Sequence, residues 1–157
     1  MDKYPMTAAG HAKLEQELHD LKHEERPAVI KAIAEAREHG DLSENAEYHA
    51  AREKQSFIEG RIQELEAVIA HAEVIDPKEL SGEKVMFGAS LKLVDEETDE
   101  EVSYQIVGEY EADLERGLIS NTAPIARALI GKSAGDSVEV VTPKGTRYFE
   151  ILAVEYV

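Results

Sequence analysis

The sequence predicts an α+β protein, with an antiparallel α-helical coiled-coil hairpin followed by a small α+β domain. Two changes along the chain predict this. Before Pro77 apolar residues recur every three or four positions, and after it they fall into short alternating or clustered runs. A third observation places the turn: Arg37–Tyr48 interrupts two heptad-like segments and contains Gly40.

Thr7 is the expected cap of the first arm, because its hydroxyl can accept from an orphan N–H of the first turn. Leu14, Leu18 and Leu21 step by four and three, and Val29, Ile30 and Ile33 continue the seam after a slip near Pro27. The slip predicts a stutter or a mild kink. Gly40 is the expected stop, since glycine tolerates the positive φ that ends many helices. The second arm carries Ala51, Gln55, Ile58, Ile62, Leu65, Ile69 and Ala72, a coiled-coil spacing with mostly charged residues between. At ~1.5 Å per residue an arm from Thr7 to His39 spans on the order of 45 Å, which puts the turn far from the rest of the chain. Pro77 ends this part because the residue before a proline avoids helix.

Strands are expected over Lys84–Val94, Val102–Val107, Ser137–Val141 and Tyr148–Tyr156, with turns at Asp95–Glu101 and Pro143–Gly145. Pro124–Gly131 reads as a short helix with proline at its start and glycine at its end. The expected domains are 1–76, with the tip at 40–48, and 77–157.

Composition narrows the chemistry. A net charge of −16 over 157 residues repels a phosphate backbone, so a protein partner is expected rather than free nucleic acid. The acidic excess is shared: 9 basic and 17 acidic residues precede Pro77, and 8 and 16 follow it. Without cysteine there are no disulfides, no thiolate nucleophile and no thiolate metal site. No run of apolar residues is long enough for a membrane span, and Met1–Gly10 lacks the pattern of a secretory signal. A cytoplasmic protein is expected.

Asp41 and Glu44 are the candidate reactive pair. Three residues apart at a helix start, their spacing is first that of a capping pair; they could instead form a two-carboxylate half-site for a hard cation such as Mg²⁺. Arg37 and Arg52 fall near the same tip and could meet a phosphate, or could pair with Glu38, Glu47 or Glu53. His19 and His23 share a helix face, but no third ligand accompanies them. Gly131-Lys132-Ser133 ends like a phosphate loop yet has Ala126 where the first glycine belongs. No histidine follows Pro77, so a serine–histidine nucleophile has no support there.

The tip Gly40-Asp41-Leu42-Ser43-Glu44-Asn45-Ala46-Glu47-Tyr48-His49-Ala50-Ala51-Arg52-Glu53 resembles that of the bacterial Gre transcript-cleavage factors, closest to the GreA type. Leu118-Ile119-Ser120, Pro124-Ile125-Ala126-Arg127, Leu129-Ile130-Gly131-Lys132 and the ending Phe149–Tyr156 resemble the same family's C-terminal domain, so the likeness spans essentially the whole chain. The resemblance implies a coiled coil that enters the secondary channel of RNA polymerase and an FKBP-like domain that docks on the channel rim. It implies that Asp41 and Glu44 share Mg²⁺ with the polymerase, so that the displaced 3′ end of backtracked nascent RNA is hydrolysed. It further implies an RNA-facing basic patch at Arg37 and Arg52, a tip shaped by Asn45 and Tyr48, and rim contacts at Ser120, Asn121 and Pro124. The factor would then be a monomer that completes the polymerase's active site and is no enzyme alone. Ser43 stands where such tips often carry lysine, and Ala123 where serine is common. Three other readings remain open: a channel-blocking inhibitor of the same fold, a proline isomerase or chaperone, and an adaptor with no chemistry at its tip.

Overall fold

The computed structural model describes residues 3–40 and 45–157. It divides into two compact units. Among the described residues one comprises 12–72 and the other 3–11 with 73–157. This departs from the expected boundary at Pro77, because the N-terminal segment belongs with the sheet. Tyr4–Thr7 (β1) pairs with Ala72–Ile75 (β2) in a two-stranded sheet instead of merely preceding a helix.

The helical unit is a hairpin. Its first arm runs through α1 (Ala8–Asp20, of which residues 12–20 lie in this unit), a π-helical turn (Leu21–Glu25) and α2 (Arg26–Arg37), and α3 (Ala46–Ala70) returns. The π turn explains the slip in the sequence. Leu21 and Val29, both buried, are eight residues apart, one more than a heptad, and a π turn absorbs one residue so that the seam stays on one face. Arg26 N–H accordingly bonds to Leu21 O, five residues back, and Pro27 falls in the first turn of α2, where its missing N–H is least disruptive.

After the turn the buried positions are Val29 and Ala36, not Ile30, which is 53% exposed. On α3 they are Ile58, Ile62, Leu65 and Val68, with Val68 rather than Ile69 closing the series. Each such aliphatic side chain contributes roughly 1.5–3 kcal/mol by leaving water. Between the arms Arg26 makes a two-pronged pair with Glu59 (2.8 and 2.8 Å), and Arg61 reaches Glu17 (2.6 Å) while also pairing with Glu64 (2.8 Å). Glu59 is held below the usual carboxylate range by its hydrogen bond from Arg26. These pairs are partly exposed, so they fix register more than they stabilise.

The second unit is built on a five-stranded sheet in the order β5-β4-β3-β7-β6, from β3 (Ser90–Asp95), β4 (Glu101–Val107), β5 (Leu118–Ser120), β6 (Ser137–Thr142) and β7 (Gly145–Glu155). All neighbours are antiparallel except β4 and β5. One sheet face and α4 (Pro124–Leu129) enclose a core that includes Val85, Leu91, Leu93, Ile106, Leu129, Phe149 and Ile151. Both expected hairpin turns form. Asp95 accepts from the N–H groups of Glu97 (2.9 Å) and Thr98 (3.3 Å) and from Arg147 Nη2 (2.6 Å), while Pro143-Lys144 joins β6 to β7 ahead of Gly145 at φ +128°. The first expected strand is shorter than its apolar pattern, because only an isolated bridge from Lys84 to Ser133 precedes Ser90. β7 carries a bulge at Leu152: Ala153 opposes Lys92 and Ile151 opposes Leu93.

Candidate functional site

Gly40, at φ +104°, and Asn45 bracket the reversal of the hairpin. Asp41 and Glu44, the carboxylates on which the sequence reading centres, lie outside the described residues, as do Leu42 and Ser43. Their described neighbours define the frame that holds them.

Asn45 does two jobs with one amide. Its Oδ1 accepts from Tyr48 N–H (3.0 Å), capping α3, and its Nδ2 donates to Ala36 O (2.6 Å) in the last turn of α2, a carbonyl that also accepts from His39 N–H (3.1 Å). The staple ties the two helix ends at the point where the chain reverses. Because Asn45 supplies the cap, α3 starts at Ala46 and does not depend on an acid at 41 for capping. His39 Nε2 and Glu47 add a loose contact at 3.8 Å.

Arg37 and Arg52 come together across the arms. They line one shallow cleft of about 310 Å³ whose other walls are Ile30, Ile33, Ala34 and Gln55. Arg52 Nη1 donates to Tyr48 Oη (3.0 Å), and its guanidinium carbon stands 5.8 Å from the Tyr48 ring centroid. Among the described residues neither arginine pairs with a carboxylate, so the ion pairs with Glu38, Glu47 or Glu53 do not form. The exposed Ile30 lines this cleft with Ile33 and Ala34, an apolar wall beside the two arginines.

The three residues expected to make rim contacts gather on the second unit. Ser120 ends β5, its Oγ accepts from Thr122 N–H (3.1 Å), and Pro124 opens α4. Asn121 donates its backbone N–H to Val107 O (2.8 Å) and lines a cleft of about 270 Å³ with Tyr4, Tyr110 and Thr122, among others. Backbone pairing thus fixes the start of the loop, with Ser120 and Asn121 half-buried and Thr122 and Pro124 exposed.

Residues 4–74 match the family described as transcription elongation factor, N-terminal, and residues 80–156 match transcription elongation factor, GreA/GreB, C-terminal. The chain belongs to the GreA/GreB family. Among curated relatives, the transcription elongation factor GreA of Ruegeria pomeroyi is 67% identical over 99% of both chains, and that of Paracoccus denitrificans is 64% identical over the full length of both. Among solved structures, GreA factor homolog 1 of Thermus thermophilus is 31% identical, with 98% of this chain and 99% of that one covered and a TM-score of 0.45. The family assignment rests on the sequence matches. It makes the chain a transcription elongation factor, with the Arg37–Arg52 cleft and the Asn45 staple framing the family's tip motif.

Proposed function

We propose that this factor stimulates the cleavage of backtracked nascent RNA by bacterial RNA polymerase, presenting Asp41 and Glu44 on the hairpin tip within the secondary channel. The observation that carries the reading is a family match over both halves of the chain, combined with a tip motif stapled between two helix ends and flanked by two arginines.

An ion would rest on Asp41 and Glu44, the carboxylates of the family's tip motif. Two carboxylates suit Mg²⁺ as a partial set whose other positions come from water, phosphate and the polymerase. An ion held there would activate the attacking water, while the polymerase's own Mg²⁺ would stabilise the leaving oxygen. The chain's own contribution is positional. Asn45 keeps the two helix ends together, and Arg37 and Arg52 offer cations to a phosphate of the displaced 3′ end. Their apolar wall accepts the face of an adjoining base. Neither carboxylate completes a site alone, so the factor acts as a cofactor delivered in protein form and not as an enzyme. It works as a cytoplasmic monomer, with Ser120, Asn121 and Pro124 at the rim.

The channel-blocking alternative is the weaker one, because the curated relatives at 64–67% identity are named elongation factors. The deciding experiment follows a 5′-labelled RNA in a backtracked complex with Mg²⁺, comparing wild type with the Asp41→Asn, Glu44→Gln double variant. Shortened RNA with wild type alone is expected. No cleavage despite demonstrated polymerase binding would replace this reading with inhibition.

A further inference from the structure

Away from the tip, the Glu111 carboxylate gathers donors from two distant segments. It accepts from Thr7 N–H (2.7 Å), from the Thr7 hydroxyl (2.5 Å) and from Gly108 N–H (3.1 Å). Thr7 is buried, and its Oγ1 in turn accepts from Gly10 N–H (3.0 Å), which makes it the cap of α1. Two glycines make room for this arrangement. A Cβ on Gly10 would collide with the Glu111 carboxylate, and one on Gly108 would collide with the Pro5 carbonyl.

The position of the cluster gives it a use. Residues 3–11 belong to the sheet unit, yet α1 continues through residue 20 into the hairpin unit. Glu111 therefore clamps the first turn of the helix by which the chain enters its arm, and its charge also favours that helix N-terminus. We propose that Glu111 and Thr7 form a latch that positions the tip for transcript cleavage, a role that rests on the function proposed above. Docking and tip engagement are two contacts carried by one chain, so the second is intramolecular, with an effective concentration set by the stiffness of what joins them. Holding the first turn of α1 raises that concentration. Releasing it leaves docking intact and lowers the fraction of docked factor whose tip is in place.

The test titrates the full-length factor against backtracked polymerase and reads two quantities, the cleavage rate at saturation and the half-saturating concentration. Glu111→Gln removes the charge while retaining one acceptor. Gly10→Ala is the sharper variant, because it favours helix intrinsically while evicting the carboxylate, so a role confined to helix stability predicts the opposite sign. Both are expected to lower the saturating rate by about tenfold, the weight of one charge-assisted hydrogen bond, with half-saturation unchanged. Faster amide exchange at Thr7 and Gly10 should accompany the loss. Thr7→Ser keeps the hydroxyl and is expected to behave as wild type, whereas Thr7→Val should match Glu111→Gln. Wild-type saturating rates in the variants, a rise in half-saturation in place of the rate loss, or equal defects in Thr7→Ser and Thr7→Val would each overturn the latch. Failure of wild type itself to shorten RNA overturns the underlying function as well, which separates the two outcomes.

Discussion

Replacing Asn45 by alanine tests how the tip is held, because one side chain both caps α3 and closes the end of α2. Loss of an Asn cap costs about 1 kcal/mol. Loss of the 2.6 Å bond to Ala36 O costs about another 1 kcal/mol, the net worth of one ordinary hydrogen bond, with Ala36 O keeping its bond from His39 N–H (3.1 Å). Together these make about 2 kcal/mol, which increases local opening by roughly 30-fold. A two-unit chain does not guarantee two-state melting, so the direct readout is amide exchange at Tyr48 and its neighbours rather than a melting temperature. Asn45→Asp separates the two bonds: it keeps the acceptor for Tyr48 N–H and loses the donor to Ala36 O. Its effect should be about half that of alanine on a free-energy scale. A loss of protection below about twofold in Asn45→Ala, or equal losses in both variants, would refute the two-bond account.

Three other expectations follow from the fold. Deleting Gln63 rotates Leu65 and Val68 by about 100° and should abolish the hairpin's cooperative loss of helix by circular dichroism. Tyr156→Phe removes a hydroxyl that donates to Lys84 O (2.6 Å) and accepts from Met86 N–H (3.0 Å), and urea unfolding should register a loss of about 1–2 kcal/mol. Asp95 is held below its ordinary value first by the Arg147 hydrogen bond and then by the N–H groups of Glu97 and Thr98. Its contribution is therefore present above the unfolded value of about 4 and is lost as pH falls through the lower folded value, so Asp95→Asn should flatten the acid limb of a stability–pH curve.

Period carried most of the helical reading, and local chemistry carried the turns. The 4,3 spacing through Ile58, Ile62 and Leu65 located α3, and proline and glycine bounded α4. What escaped depended on distant pairing. β1 and β5 are four and three residues long, too short to show alternation, and each exists because another strand accepts it, β2 for β1 and β4 for β5. Ile30 reads as a seam residue until the π turn moves the seam to Val29. At the tip, the meeting of Arg37 and Arg52 was legible from their places on opposite arms, while the staple at Asn45 was not, because its second bond ends on a backbone carbonyl nine residues away. The contact of Glu111 with Thr7 left no trace in any pattern, since Thr7 lies 104 positions upstream.

That separation also dates events during synthesis. The hairpin is complete once Ala70 has left the ribosome, whereas Glu111 emerges roughly forty residues later, about 2–8 s at ordinary elongation rates. For that interval the nascent chain carries two finished helical arms while Thr7 still waits for its carboxylate. The amino terminus, first to be made, is thus among the last parts to reach its final place.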